Sequence, residues 1–211
     1  MAGAFDGMKV ENYSEQLACF IGGNFILGST VLDEPKYLDA GLAFSEFCAN
    51  GYRYAASGIG PILYSWNTSL LHTANFTNQT DLYEEAGWFI PDNTAYHNGQ
   101  APEAIESWYY AYQVTGDQYW RDVAWAYTLA QNATERVGSG FSSLNNVLVA
   151  DGNGTQNFMA SFMLAEVLKY QYLIQTEKKG IWDVEYGEEN KNYFVYNTEA
   201  HPFRVAAKKP V

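Results

Sequence analysis

The chain has 211 residues, of which 47% are hydrophobic and 17% aromatic, so it is long and apolar enough for one folded domain and is not a disordered segment. Its formal net charge of −12 disfavours nucleic acid and anionic membrane surfaces as partners. We find no apolar run long enough to span a bilayer, and the first nine residues lack the basic and apolar regions of a signal peptide.

Six Asn-X-Ser/Thr sequences are acceptors for N-linked glycosylation, a modification of the secretory pathway. They begin at Asn12, Asn67, Asn75, Asn78, Asn132 and Asn153. Their number predicts a glycoprotein that is secreted or resides in the lumen of the secretory pathway. The lack of a signal peptide conflicts with that location, and an N-terminal segment beyond this sequence would reconcile the two observations.

Helical periodicity dominates the chain, beginning with two helices that we expect to pack antiparallel. The first runs from Gln16 to Leu27 and the second from Pro35 to Cys48, with turn residues at 28–30 between them. The only cysteines, Cys19 and Cys48, fall on these helices. They are either two buried thiols or a disulfide, which would close a loop of about 30 residues and contribute about 3 kcal/mol to stability.

Residues 51–100 are rich in Gly, Asn, Thr and Pro and read as one long irregular excursion. Loops of this length inside a domain are uncommon unless they serve a function or are disordered. The aromatic side chains of this segment favour an ordered loop that helps to build a site. They include Trp66, Tyr83, Trp88 and Phe89.

A helical hairpin follows the loop. Pro102 suits the first position of a helix, and Thr115-Gly116-Asp117 ends that helix and caps the next one. Both helices carry apolar residues at helical spacing, which we interpret as core rather than as a site. These residues are Ile105, Trp108, Tyr109 and Tyr112 on the first helix and Trp120, Ala124, Tyr127 and Ala130 on the second.

The last predicted helix runs from Asn157 to Gln175. One side of it carries Phe158, Phe162, Ala165 and Tyr172. The tail after Trp182 alternates in polarity and ends in an extended piece, Tyr193 to Tyr196.

Paired helices with short turns on one side and long loops on the other predict an all-α fold, namely part of an α/α barrel with a short extended C-terminal segment. We count five or six helices and expect one domain over residues 1–211. A closed barrel of this kind needs about twice as many helices, so the chain alone would leave an apolar wall exposed.

Three segments carry the residues that resemble a known family. They are Ala101–Ser107, Phe162–Tyr170 and Phe194–Pro202. Together with Leu17-Ala18-Cys19-Phe20 and the stretch from Gly22 to Gly28, they make the chain similar to the C-terminal half of class I α-mannosidases, glycoside hydrolase family 47. The resemblance implies an (α/α)7 barrel that removes α-1,2-linked mannose from N-glycans with inversion and with bound calcium. It also implies a disulfide between Cys19 and Cys48.

The resemblance assigns roles to four residues, and helical spacing adds Glu106 as a further candidate for substrate binding. Glu103 matches the base that activates water, Glu106 lies one helical turn further toward the same cavity, and Thr198 matches the calcium ligand. Phe162 matches an aromatic residue at the base of the sugar pocket, and Glu199 would orient water or substrate. Without the resemblance, the two helix-start carboxylates would be favoured by the helix dipole, and Asn197-Thr198 would be ordinary turn chemistry.

Three positions depart from the family pattern. The family has His where this chain has Gln16, Arg where it has Ala101 and Glu where it has Ala160. The loss of two charged partners of the sugar would weaken binding or turnover by about two to four orders of magnitude. The family's general acid lies in the N-terminal half of the barrel, to which nothing here corresponds.

Three hypotheses therefore compete. The chain is an enzyme half that N-terminal sequence or a second chain completes, a calcium-assisted module that binds mannose-containing oligosaccharide without cleaving it, or a glycosidase with altered sugar or linkage preference. Replacement of Glu103 by Gln separates an enzyme, which loses turnover, from a binding module, which keeps its affinity.

Overall fold

The computed structural model describes residues 4–5, 10–73, 76–92, 98, 100–177 and 194–205. The helices in these ranges are α1 (Phe20–Val31), α2 (Pro35–Arg53), α3 (Thr68–Leu71), α4 (Thr80–Ala86), α5 (Glu103–Thr115), α6 (Gln118–Thr134) and α7 (Leu168–Gln175). A 3-10 turn, Gln16–Cys19, leads into α1, a second one, Thr77–Gln79, leads into α4, and a π-helical turn, Met163–Val167, leads into α7. Within the described ranges, no helix is long and apolar enough to cross a membrane.

Short antiparallel pairs of strands connect the helices. They are β1 (Ala4–Phe5) with β2 (Val10–Glu11), β3 (Tyr13–Glu15) with β4 (Leu63–Ser65), β5 (Arg136–Val137) with β6 (Gly140–Phe141), and β7 (Phe194–Asn197) with β8 (Ala200–Arg204). In the β3–β4 pair, Tyr13 lies opposite Ser65 and Glu15 opposite Leu63. This register places the entrance to α1 beside the segment at 62–65.

Helix α5 lies at the centre of the fold and contacts α1, α2, α6 and α7. All of its residues from Glu103 to Gln113 are buried, so the predicted apolar stripe is only part of its buried surface. Its neighbour α1 approaches closely because Gly22 and Gly23 face it. The Ser107 hydroxyl accepts a hydrogen bond from the Gly23 amide at 2.8 Å, and a Cβ at Gly22 would lie 2.5 Å from Ser45 Oγ. These contacts explain how two glycines are accommodated inside a helix.

The Cys19–Cys48 disulfide implied by the resemblance is present and joins the start of α1 to the middle of α2. The predicted turn at 28–30 is wrong, because α1 continues to Val31 and α2 continues to Arg53. The hydroxyls of Ser29 and Thr30 donate to the carbonyls one turn earlier, which lets these turn-type residues remain helical. The chain reverses instead at 32–34, where Asp33 has a positive φ of 53°.

The predicted irregular excursion at 51–100 is partly wrong, because residues 51–53 still belong to α2 and the segment contains β4, α3 and α4. Its described aromatic residues are packed, as predicted. Tyr64, Trp88 and Phe89 are buried, and Tyr64 packs edge-on against Trp88 at 5.2 Å between ring centroids. The Ser65 and Phe89 backbones exchange two hydrogen bonds, which tie the excursion to β4.

The predicted α5–α6 hairpin is confirmed. Gly116 ends α5 with a φ of 68°, and the Asp117 side chain accepts a hydrogen bond from the Tyr119 amide at the start of α6. Pro102 precedes the helix as its N-cap residue rather than occupying its first position.

The predicted start of the last helix at Asn157 is wrong. Asn157 has a positive φ of 53°, and the helix begins six residues later with the π-helical turn. Its buried side carries Met163, Val167 and Tyr170, whereas Phe158 and Tyr172 of the predicted apolar side are exposed. The extended piece at 194–196 is confirmed as β7, while Tyr193, the alternating tail after Trp182 and the sequon at Asn75 lie outside the described residues.

Large apolar side chains remain exposed on both flanks of the central helix α5. Leu17 and Phe20 are exposed at the start of α1, and Leu164 and Tyr172 are exposed along the last helix. We refer to these four residues as the apolar edges.

Candidate active site

A cavity of about 570 Å³ opens where α5 and the last helix begin. Five segments of the chain form its walls: the β3 end with the turn into α1, the residue before β4, the approach to α5 with its first residue, the start of the last helix, and the turn of the β7–β8 hairpin. The lining residues are Glu15, Gln16, Leu17, Ile62, Ala101, Pro102, Glu103, Ser161, Phe162, Ala165, Glu166 and Glu199.

Glu103 is the first residue of α5 and its carboxylate reaches the cavity wall. The residue is 5% exposed, and its Oε2 has no hydrogen-bond partner among the described residues. The pKa of Glu103 is raised to about 7, mainly by burial. The negative charges of Glu166, Glu199 and Glu15 contribute to this rise, and a backbone hydrogen bond opposes it. A carboxyl group with this pKa exchanges protons near neutral pH, as a general acid or base must.

Glu106 lies one turn further along α5 and is 4% exposed. It is not among the residues that line the cavity, and its carboxylate instead faces Tyr170, Lys169 and Thr198. Burial raises its pKa to about 7, while the Tyr170 hydroxyl, the Lys169 ammonium and the Thr198 hydroxyl lower it and the Glu103 charge raises it. The structure thus places Glu106 behind the cavity wall rather than in the cavity.

The turn between β7 and β8 brings Thr198 and Glu199 to the site. Thr198 is buried, and Glu199 lines the cavity. The Lys169 ammonium holds this turn, because it donates to the carbonyls of Asn197, Thr198 and Ala200 at 2.6, 3.2 and 3.3 Å.

The oxygen donors near Thr198 suit a hard cation. The Thr198 hydroxyl lies beside the Glu106 carboxylate, whose Oε2 has no hydrogen-bond partner within the described part of the chain. The Thr198 carbonyl already accepts from Lys169, and no cluster of three or more His, Cys, Asp or Glu residues is found in the described ranges. Calcium takes six to eight oxygens, so water or substrate would have to complete its shell here.

The three positions that depart from the family pattern lie at or near the cavity. Gln16 lines the cavity, but its amide donates to the Tyr52 hydroxyl in the core. Ala101 lines the cavity as well. Ala160 is buried outside it, and its amide donates to the Gln100 side chain at 2.8 Å.

Two acidic residues of the cavity were not identified from the sequence. Glu166 follows Phe162 by four residues, so helical spacing places both on one face, and this spacing could have revealed it. Burial raises the pKa of Glu166, with a further contribution from Glu199 and an opposing one from Lys169. Glu15 lies directly before the cavity-lining Gln16 and Leu17 and pairs with Leu63 in the β3–β4 pair, which the sequence does not indicate.

Comparison with known proteins identifies the family. The model of glycosyl hydrolase family 47 matches residues 2–205. A probable mannosyl-oligosaccharide α-1,2-mannosidase 1B from Aspergillus clavatus is 43% identical over 205 residues, which are 95% of this chain and 38% of that protein. A mannosyl-oligosaccharide α-1,2-mannosidase from Penicillium citrinum is 40% identical over 193 residues, which are 92% and 36% of the two chains.

The solved structure of an α-1,2-mannosidase from Trichoderma reesei superposes with a TM-score of 0.86 at 40% identity, covering 98% of this chain and 42% of that one. The chain belongs to glycosyl hydrolase family 47, and its predicted fold, part of the family's α/α barrel, is confirmed. It spans well under half the length of the relatives that it matches.

Proposed function

We propose that this chain forms the C-terminal part of the catalytic domain of an inverting α-1,2-mannosidase that trims mannose from N-glycans, in the secretory pathway or outside the cell. One observation carries the proposal: the buried Glu103 carboxylate, with Oε2 unpartnered among the described residues, faces a cavity that also contains Phe162, Glu166 and Glu199. Family membership and the named activities of the relatives support it.

In this proposal Glu103 is the general base. Its ionised carboxylate accepts a proton from a water molecule in the cavity, and that water attacks the anomeric carbon from the face opposite the leaving group. A pKa of about 7 leaves close to half of the carboxylates ionised at neutral pH. The Phe162 ring would support the apolar face of the sugar, and the Glu166 and Glu199 carboxylates would accept hydrogen bonds from sugar hydroxyls or water.

Calcium is part of the proposal, with Thr198 as its protein ligand. When bound, the ion would offset the negative charge of the cavity and coordinate hydroxyl groups of the sugar. Glu106 would orient the Thr198 hydroxyl through their mutual contact.

A partner segment is also part of the proposal. The general acid and the remaining helices would come from N-terminal sequence or from a second chain that covers the apolar edges. The exposure of Leu17, Phe20, Leu164 and Tyr172 and the 42% coverage of the Trichoderma enzyme support this view.

A second candidate function is glycan binding without cleavage. It is favoured by the absence of any basic side chain among the described lining residues and by the hydrogen bond that the amide of the cavity-lining Gln16 donates to Tyr52. The small side chain of Ala101 also leaves room for a sugar or linkage other than α-1,2-mannose. In that case the substrate specificity of the enzyme would change, while hydrolysis itself would be kept.

The test is the release of mannose from α-1,2-linked mannobiose in the presence of calcium, by the chain alone and by the chain fused to the N-terminal part of a family member. Release that disappears in Glu103→Gln supports the hydrolase, and the exposed Glu84→Gln variant is the matched control. Mannobiose binding that survives Glu103→Gln, without release from either form, would support the binding module. If the protein neither releases mannose nor binds mannobiose, both proposals are contradicted.

A further inference from the structure

A second depression of about 380 Å³ lies apart from the active-site cavity and shares none of its lining residues. It lies between the end of α2, the start of α4 and the loop after β6, and we call it the α2–α4 groove. Its lining residues are Tyr54, Ala56, Asn78, Gln79, Leu82, Asn146, Leu148 and Val149. Its volume falls in the range of about 300–1,000 Å³ that is typical of small-ligand sites.

One wall of this groove carries a glycosylation acceptor. Asn78 is exposed and begins the sequon Asn78-Gln79-Thr80. The next residue, Gln79, is buried, and its side chain exchanges hydrogen bonds of 3.0 and 2.9 Å with the carbonyl and amide of Ile90. These bonds anchor the chain next to Asn78, which lines the groove.

The opposite walls present a surface that suits a sugar ring. Tyr54 is 37% exposed and Val149 is 40% exposed, and Leu82 and Leu148 add half-buried apolar surface. Aromatic and aliphatic faces of this kind cover the C–H face of a pyranose. Asn146 adds a polar side chain, whose Oδ1 accepts from the Leu148 amide at 2.9 Å.

The loop that bears these apolar residues is also fixed. The Asn146 amide donates to the Gly152 carbonyl at 2.9 Å, and the Gly152 amide donates to the Val149 carbonyl at 2.8 Å. Both walls of the groove are thus formed before a ligand arrives, which lowers the entropy lost on binding.

We propose that Asn78 carries an N-linked glycan and that the first N-acetylglucosamine of this glycan lies in the α2–α4 groove. In the modification, the Asn78 Nδ2 forms a bond to C1 of the sugar and loses one proton, while the polyprenyl pyrophosphate of a lipid-linked oligosaccharide donor leaves. The attached sugar then covers Tyr54 and Val149. This inference does not depend on the proposed hydrolase activity.

The first experiment measures occupancy. The full chain is produced in a eukaryotic host that secretes it, and peptide-N-glycosidase F in ¹⁸O-water labels each glycosylated Asn for mass spectrometry. We expect the label at Asn78 in the wild type and in Thr80→Ser, which keeps the sequon, and its loss in Thr80→Ala. An unlabelled Asn78 in secreted, folded protein overturns the proposal.

The second experiment tests the place of the sugar. Endoglycosidase H leaves one N-acetylglucosamine on Asn, whereas peptide-N-glycosidase F removes the whole glycan and converts that Asn to Asp, so the Tm of an Asn78→Asp variant is measured as the reference for the added charge. If the first sugar lies in the groove, the Tm after peptide-N-glycosidase F is lower by about 2–4 °C than after endoglycosidase H, as a modest stabilisation gives in a domain of this size.

The matched control is Asn132→Gln. Asn132 begins an exposed sequon on α6, its Oδ1 accepts from Arg136, and it does not line the groove. The Tm difference between the two enzyme treatments should persist in Asn132→Gln and disappear in Asn78→Gln. Equal Tm values after both treatments of the wild type would show that the sugar projects into solvent. This result would overturn the proposed position of the sugar in the α2–α4 groove.

Discussion

Glu135 offers a test of the buried polar network that lies behind the active site. It follows α6, is 0% exposed, and accepts a hydrogen bond from the Asn98 side chain through Oε1, while Oε2 has no partner among the described residues. Asn98 in turn accepts from the Leu144 amide at 2.8 Å, so this network holds the approach to α5. Glu135→Gln keeps the shape and the acceptor of the side chain but removes its charge.

The expected effect follows from the pKa of Glu135, which burial raises from 4.5 to about 7, against contributions from Gln131 and Asn98 that lower it. Because the folded state holds the proton more tightly, this group stabilises the fold at pH values below about 4.5. That contribution is lost as the pH rises through about 7. The difference of roughly 2.5 units corresponds to about 3 kcal/mol in the free energy of unfolding.

The assay is urea unfolding followed by circular dichroism at pH 4.5, 6 and 8, with the free energy extrapolated to water. The quantity to compare is the free energy of unfolding of Glu135→Gln minus that of the wild type. We expect this difference to be about 3 kcal/mol more positive at pH 8 than at pH 4.5. The exposed Asp122→Asn variant on α6 controls for the loss of one negative charge. Parallel pH profiles of the wild type and Glu135→Gln would refute the reasoning.

Three further predictions concern the active site and the core. Removal of calcium by excess chelator should lower the Tm by several degrees, because a ligand that binds only the native state stabilises it, and Thr198→Val should abolish this shift; an unchanged Tm in the wild type would count against the site. Replacement of Cys19 and Cys48 by Ser should lower the free energy of unfolding by about 3–4 kcal/mol, since the disulfide closes a loop with a separation of 29 residues, and calorimetry of both forms measures this. Gly51→Ala should destabilise the chain by about 1–3 kcal/mol despite its better helix propensity, because the new Cβ would lie 2.5 Å from the Tyr64 hydroxyl oxygen; a wild-type Tm would contradict the packing.

Local sequence patterns were reliable where short-range chemistry decides the structure. Gly116 adopts the left-handed conformation that ends α5, and Asp117 caps α6 with its own carboxylate. The pairing of Cys19 with Cys48 followed from the family resemblance, because two cysteines without that comparison could equally have been free thiols.

The same patterns failed where tertiary packing overrides local preference. Ser29 and Thr30 have turn chemistry but remain in α1, since their hydroxyls bond within the helix and its face packs on α2 and α5. Phe158 and Tyr172 match a helical apolar stripe, yet both are exposed because the helix starts at Met163 and buries a different face.

The sequence by itself determined the helical class and, through its motifs, the family. The family resemblance then assigned Glu103, Phe162, Thr198 and Glu199 as candidate site residues, because residue type and spacing alone would have left Glu103 a helix-start carboxylate and Thr198 a turn residue. Only the tertiary structure brought Glu15 to the same cavity as Glu103, placed Glu106 behind the wall of that cavity beside Thr198, and put Asn78 and Tyr54 at the same groove. Such neighbours are far apart in sequence, and the packing of helices around α5 decides which of them meet. Burial in that packing also raises the pKa values of Glu103, Glu106 and Glu135 to about 7, which no single segment of sequence encodes.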